Sequence, residues 1–319
     1  MVRSSYNVQD LFLMKSIAIS YSWIAMLLRH LRYLIAVAEH HNFTRAAEAL
    51  HVSQPTLSLQ IKQLEDLLQV QLLDRSGRRV RPTDVGEVYL QYARNALREL
   101  EAGRRAIHDV QSLSRGSLRI AMTPTFSTYL IGPLIERFST SYPGILLNIR
   151  EMSQNEMELV LAEDGLDLGI AFSKVDSPEI DCQPLFAEKL TIMVGIAHPR
   201  ANQGGTMTLA ELQAESLALL TGDFITRQLI NSFFRAQGIA PHISIEANSI
   251  GAIVDIIRRG NLVTILPHLI AHEHERLCPI LLDPPLPYRT AALLRRKGSY
   301  ETAAAHAFTA ILQSTIADY

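Results

Sequence analysis

The 319-residue chain has little cysteine: only Cys182 and Cys278. Two cysteines in a chain of this length make no disulfide framework, so a reducing, cytoplasmic setting is expected. The pair forms no CxxC. Gly204-Gly205 sits in neither a GxGxxG nor a Walker pattern, so no phosphate-cradling loop is expected. His268, His272 and His274 lack the HExxH arrangement because Glu273 and Glu275 fall at the wrong positions. A surface or capping role is expected for them, with no metal and no cofactor. No Ser-His-Asp or Cys-His constellation stands out, so no catalytic residue is named and no enzymatic activity is expected. No apolar run is long enough to span a membrane, which takes about 20 residues. The run over 16–28 has the length of a signal-peptide core, but it lies directly before a well-patterned helix. Residues 1–25 are expected to be a miscalled start or a disordered extension, with Met26 as the true start. Internal repeats and low-complexity tracts are absent.

What is present is uneven charge. The chain carries a net charge of −2, with 48 % apolar and 19 % charged residues, which is ordinary globular usage. Residues 26–115 hold 13 basic and 10 acidic residues, whereas 116–319 hold 15 basic and 21 acidic. A basic front and an acidic rear suggest a polyanion-binding module joined to a second function.

The front reads as three helices. Leu31, Leu34, Ile35 and Ala38 follow one helical face. A second helix is expected to start at Thr44 as N-cap, with Ala46, Ala47 and Leu50 inward. After a tight turn at His51-Val52, Ser53 is an N-cap and Pro55 falls in the first turn of a third helix, which buries Leu57, Ile61 and Leu64. Helix, tight turn, helix is the helix-turn-helix arrangement. The outward positions Gln54, Pro55, Thr56, Ser58, Leu59 and Lys62 are small or neutral near the N-terminus, as a base-reading helix requires. Four arginines follow, Arg75, Arg78, Arg79 and Arg81, around a Ser76-Gly77 turn. This reads as a basic wing on phosphates. Thr44 and Arg45 are added to the expected DNA contacts.

Pro82-Thr83-Asp84 caps a long helix. Along it Tyr89, Ala93, Ala96, Leu100, Gly103, Ile107 and Val110 are spaced 4-3-4-3-4-3, a heptad seam that suits a dimer with two DNA half-sites. Gly116 is read as a hinge. Beyond it, strand-like runs at 118–122, 145–150, 166–172, 190–196, 216–220, 242–246, 262–266 and 290–296 alternate with helical runs, implying a mainly parallel α/β sheet.

The runs Arg29-His30-Leu31-Arg32-Tyr33, Asn42-Phe43-Thr44-Arg45-Ala46-Ala47, Val52-Ser53-Gln54-Pro55-Thr56-Leu57-Ser58 and Leu73-Asp74-Arg75 resemble the LysR-type transcriptional regulators. The resemblance covers 26–319. It implies a multidomain chain: an all-α winged helix-turn-helix domain over 26–83, a linker and dimerisation helix with hinge over 84–115, and an effector-binding domain over 116–319. That last domain would be α/β and two-lobed, like a periplasmic binding protein, with lobe I near 116–185 and 290–319 and lobe II near 186–289. The resemblance also implies operator DNA, a homodimer or homotetramer, and RNA polymerase as partners.

A narrower similarity runs through Thr123-Pro124-Thr125-Phe126, Glu151-Met152-Ser153-Gln154, Ile245-Glu246-Ala247-Asn248-Ser249 and Arg289-Thr290-Ala291. It is to regulators of cyanate operons, which would make cyanate or another small anion the effector. Two alternatives stay open. One is a regulator sensing a different small acid or aromatic metabolite. The other is an α/β solute-binding protein or enzyme with a structural front appendage.

Ligands of open α/β sheets sit beyond the carboxyl ends of strands. Here those ends carry hydroxyls and an amide: Thr123, Thr125, Ser127, Ser153, Thr221 and Asn248. Together with helix N-terminal N–H groups these suit a small anion, and they are the expected effector contacts.

Overall fold

The structure, a computed structural model, describes residues 27–109, 116–201, 205–272 and 274–317. The expected extension 1–25 lies outside them, as do Met26, Val110, Gly204 and Glu273. The chain forms two units that divide after Arg104.

In the front unit, helix α1 (27–40) is followed by α2 (Phe43–Ala49) and α3 (Gln54–Leu68). Asn42, rather than Thr44, caps α2: its Oδ1 accepts the backbone N–H groups of Thr44 at 2.8 Å and Arg45 at 3.1 Å. Asn is as good a cap as Ser, and Thr44 falls one turn position too late. Ser53 caps α3 by accepting from Thr56 N at 3.2 Å. The turn between α2 and α3 passes through His51 at φ 54°, a left-handed residue that reverses the chain in a short span. Leu34, Val37, Ala46, Ala47, Leu57, Ile61, Leu64, Leu72 and Leu90 form the core, all 3 % exposed or less.

Strands β1 (Leu73–Asp74) and β2 (Arg81–Pro82) pair antiparallel, with Leu73 opposite Pro82. Helix α4 (Asp84–Asp109) follows. At 26 residues and about 1.5 Å each it runs roughly 40 Å. Its first turn presses on the wing, because a Cβ on Gly86 would stand 2.0 Å from the Leu72 carbonyl oxygen. Only glycine permits that approach.

The rear unit is built on a mixed sheet. Strands β3 (Gly116–Met122), β4 (Ile145–Glu151) and β5 (Leu168–Phe172) are parallel neighbours in the order β4-β3-β5. They are joined through α5 (Pro124–Tyr129), α6 (Ile131–Ser141) and α7 (Gln154–Ala162). Strand β6 (Ile180–Gly195) is 16 residues long and leaves this first lobe for the second. Its first half pairs with β12 (Tyr288–Arg296). Leu190–Val194 pair with β10 (Val263–Pro267), and Ile192–Gly195 pair with β11 (Leu277–Asp283).

The second lobe adds β7 (Thr206–Thr208), β8 (Ser216–Leu220) and β9 (His242–Ala247). Its helices are α8 (Leu209–Ala214), α9 (Ile225–Gln237), α10 (Ile250–Arg259) and α11 (Leu269–His272). The final helix α12 (Ala303–Ile316) returns to pack on α6 of the first lobe.

The expected parallel rhythm holds within each lobe: β3 with β4 and β5, and β8 with β9 and β10. It breaks at β6 and β12, which run antiparallel to their neighbours because they carry the chain between lobes. Gly116 opens β3. At Gly195 a Cβ would meet the Ile257 carbonyl oxygen at 2.3 Å, so the end of α10 lies directly on β6. A single apolar cluster runs from Leu118, Ile120, Phe126 and Phe138 of the first lobe to Leu220, Ile253, Val254 and Ile257 of the second.

Candidate functional site

The exposed N-terminal part of α3 presents Gln54, Pro55, Thr56, Leu59 and Lys62, with Ser58 half-buried. Leu59 is 55 % exposed. Ser53 is exposed, but its hydroxyl is engaged with the Thr56 hydroxyl at 2.7 Å, so its role is the cap. Thr44 and Arg45 are exposed at the start of α2.

The wing is held by one carboxylate. Glu65 on α3 accepts the backbone N–H groups of Leu72 at 2.9 Å and Leu73 at 3.1 Å, and Arg75 donates to it at 2.6 Å. The Arg75 guanidinium also lies 5.2 Å from the Phe43 ring centroid. Arg75 therefore ties α2, α3 and the wing together, with its side chain still 39 % exposed. Asp74 accepts from Ser76 N and Oγ, and these bonds lower its pKa from the ordinary value. Val80 N–H donates to the His41 carbonyl at 3.1 Å. Arg78, Arg79 and Arg81 are exposed, and no carboxylate pairs with them among the described residues.

Along α4 the expected seam is only partly open. Ala96, Leu100 and Gly103 are exposed, but Tyr89 is half-buried and Ala93 is 3 % exposed, packed within its own unit. At the front of the helix the exposed apolar residues are Val85, Val88 and Tyr92, at 53, 58 and 68 %. The open stripe thus runs Val85, Val88, Tyr92, Ala96, Leu100 and Gly103. Heptad counting missed the shift because the inward position is Leu90, and Tyr89 also packs against that core. Val110 and the side chain of Ile107 lie outside the described residues.

In the rear unit a pocket of about 160 Å³ opens between the lobes. Thr123, Thr125 and Ser153 line it, together with Gln154, Phe172, Phe224, Ile225, Thr226, Asp223 and Arg289. Three expected contacts do not. Ser127 is bonded to the Pro124 carbonyl and to Glu151. Asn248 is exposed, and the Thr221 hydroxyl is buried without a hydrogen-bond partner.

The residue that dominates the pocket was not singled out as a contact. Arg289 stands opposite Glu188 in the β12–β6 register. Its Nε donates to Glu188 at 2.5 Å, and the Glu188 side chain is 0 % exposed. Tyr129 donates its hydroxyl to the same carboxylate at 2.7 Å. The guanidinium carbon sits 3.8 Å from the Phe172 ring centroid, and Nη2 reaches Thr125 Oγ1 at 3.4 Å. Nη1 is buried and has no hydrogen-bond partner.

Burial pulls the Arg289 pKa below its ordinary value, and the Glu188 charge opposes that shift. Arginine nonetheless keeps its charge. A sequence cue did exist: a lone Arg and a lone Glu, each at the edge of an apolar strand run. Pairing them required the antiparallel register of β6 and β12, which strand patterning alone does not give. Gln154 is locked: it donates to Glu158, the Phe172 carbonyl and the Lys174 carbonyl, and accepts from Phe172 N.

Among the described residues no group of three or more His, Cys, Asp or Glu could hold a metal ion. No helix among them is long and apolar enough to cross a membrane.

Comparison with known proteins agrees with this two-part arrangement. Residues 28–87 match the model of the bacterial regulatory helix-turn-helix protein of the lysR family, and residues 111–317 match the LysR substrate binding domain. A hydrogen peroxide-inducible genes activator of Pectobacterium carotovorum subsp. carotovorum is 32 % identical over 277 residues, covering 86 % of this chain and 91 % of the relative. The Hca operon transcriptional activator HcaR of Escherichia coli (strain K12) is 32 % identical over 246 residues, 76 % of this chain and 82 % of the relative. Among solved structures, a full-length OxyR variant from Pseudomonas aeruginosa superposes with a TM-score of 0.65 at 27 % identity, covering 91 % of this chain and 94 % of that one. These relatives lend no support to a cyanate-specific role. The chain belongs to the LysR family of bacterial transcriptional regulators: it is a DNA-binding, oligomer-forming protein with a rear effector-binding domain, and it is not an enzyme.

Proposed function

We propose that the chain regulates transcription in the cytoplasm in response to a small organic acid bound between the lobes. The carboxylate of that acid faces Arg289 Nη1, Thr125 and Thr123, and its apolar body lies among Phe172, Phe224 and Ile225. The observation that carries this reading is Arg289, which lines an otherwise largely apolar pocket and holds one buried nitrogen, Nη1, without a hydrogen-bond partner. A buried charged donor without a partner is costly, and a carboxylate is its natural complement. At about 160 Å³ the pocket is larger than a triatomic anion such as cyanate fills. An acid other than cyanate therefore fits better. Asp223 at the exposed rim opposes an anion, but water screens it.

At the front, α3 reads operator bases through Gln54, Pro55, Thr56, Ser58 and Leu59, and Thr44, Arg45, Lys62, Arg78, Arg79 and Arg81 hold phosphates. The α4 stripe joins two copies, as a homodimer or as part of a homotetramer, and RNA polymerase is the downstream partner.

The peroxide-inducible relatives suggest a second reading, thiol-based sensing. The chemistry of this chain disfavours it. Burial and the Glu158 charge push the Cys182 thiol up, whereas a peroxide-reactive cysteine needs a depressed pKa.

Thermal shift of the full-length protein with benzoate against neutral benzamide tests the acid reading. Benzoate is expected to raise Tm and benzamide to leave it unchanged. Arg289→Lys, which keeps a positive charge beside Glu188 but loses the fork, is expected to abolish the difference. Equal shifts by acid and amide, or an unaltered response in Arg289→Lys, would remove Arg289 from the reading. A response to hydrogen peroxide that disappears in Cys182→Ser would replace the acid with thiol chemistry.

A further inference from the structure

A second hollow, of about 480 Å³, is lined in part by Lys189, Leu190 and Thr191 of β6. Glu188 is bonded to Arg289, and its neighbour Lys189 is exposed and lines this hollow. Leu190, Leu282 and Leu286 line it, and two large apolar side chains stand open beside it: Leu281 at 68 % and Tyr288 at 69 % exposure.

The charge on its wall has one sign. Lys189 and His268 both line the groove, and the His268 ring stacks edge-to-face on His272 at 5.2 Å. Burial first, and then His272 and Lys189, hold the His268 pKa below its ordinary value, so Lys189 supplies the positive charge of the groove and His268 a neutral ring. Among the described residues no carboxylate forms an ion pair with any of them. Asp283, the acid on the neighbouring strand, is not among the lining residues.

The place matters as much as the chemistry. Lys189, Leu190 and Thr191 belong to β6 where it passes from the first lobe to the second, and Tyr288 begins β12 where the chain returns. Tyr288 is the register partner of Lys189. The groove therefore straddles both strands that connect the lobes.

We infer that this groove is a second ligand site of the effector domain, for a monoanion with an apolar body such as an aryl or alkyl carboxylate or sulfonate. The anion pairs with Lys189 beside the His268 ring, and the apolar body covers Leu281 and Tyr288. A ligand there grips both interlobe crossings at once. It favours whichever lobe arrangement keeps the groove's walls together, and it is thereby coupled to the pocket around Arg289.

The test uses the full-length protein and anilinonaphthalene sulfonate, an anionic dye whose emission rises when it leaves water. One dye per chain is expected at the groove, with neutral phenylnaphthylamine binding much more weakly. Lys189→Gln and Tyr288→Ser, both at exposed positions, are each expected to weaken dye binding about tenfold. Thr125→Val, in the interlobe pocket, is expected to leave the dye affinity unchanged, so failure of one site is distinguishable from failure of the other. Unaltered affinity in both groove variants would overturn the inference. So would loss of binding in Thr125→Val instead. Dye release as wild-type protein concentration rises would overturn it too, because a second copy of the chain would then be the occupant.

Discussion

Two carboxylates that sequence reading passed over organise the two sites. Glu65 gathers three hydrogen bonds from the wing onto α3, and Glu188 gathers Tyr129 and Arg289 at the effector pocket. Glu65→Ala removes the ion pair with Arg75 and the acceptor of two backbone N–H groups. A loss of about 2 kcal/mol in urea unfolding is expected, with weaker binding to every DNA sequence because the wing is no longer placed. An unchanged midpoint would mean that the wing is held by other contacts. The arginines separate by the same logic. Arg78→Ala is expected to weaken binding to all sequences and to shallow the salt dependence by roughly one unit of slope, whereas Arg75→Ala should destabilise the front unit before it changes that slope. Gln54→Ala is expected to relax discrimination between operator and random DNA. Competition binding with both DNAs checks all three, and equal losses on both DNAs for Gln54→Ala would take α3 out of base reading.

At the level of elements, α4 shows where periodicity succeeds and where it stops. Its existence, its start at Asp84 and its apolar face were legible from spacing, because a 3.6-residue period is local information. Which part of that face stays open was not, since it depends on Leu90 and Tyr89 meeting the core of α1, α2 and α3. The same limit explains the rear unit. The parallel strands β3, β4, β5, β8, β9 and β10 were visible as apolar runs between helices. The long β6 was seen only from Leu190 onward, because its first ten residues alternate too weakly to read as a strand. Strands β7 and β11 escaped for the same reason, being short or proline-interrupted. An expectation follows for α4. Tyr92→Glu and Leu100→Glu place charges on the exposed stripe and should dissociate dimers in sedimentation without lowering Tm much. Ala93→Glu buries a charge in the core and should unfold the front unit. Intact dimers in the first two variants would contradict the stripe.

Across the whole molecule, the motifs in the front third made the family legible, while the effector stayed out of reach. Helix-turn-helix chemistry lies in contiguous residues, from Ser53 to Lys62. Pocket chemistry lies in residues brought together from 123, 172, 224 and 289 by strand register and chain crossing. Thr123, Thr125 and Ser153 were found because hydroxyls at strand ends carry a local signal, and Arg289 was missed because its signal is a distant partner. Screening of Asp223 can be checked directly: Asp223→Asn is expected to tighten benzoate binding severalfold at low salt and hardly at all at high salt. A tightening that persists at high salt would place Asp223 in the pocket rather than at its rim.

The most direct measurement is operator affinity of the full-length protein on its own upstream DNA, over a salt series, with and without benzoate, for wild type and Arg289→Lys. Steep salt dependence, operator preference, and an acid-dependent change in affinity or footprint that Arg289→Lys loses are expected. Specific binding that benzoate alters equally in wild type and Arg289→Lys, or no preference for the operator at any salt, would contradict the account.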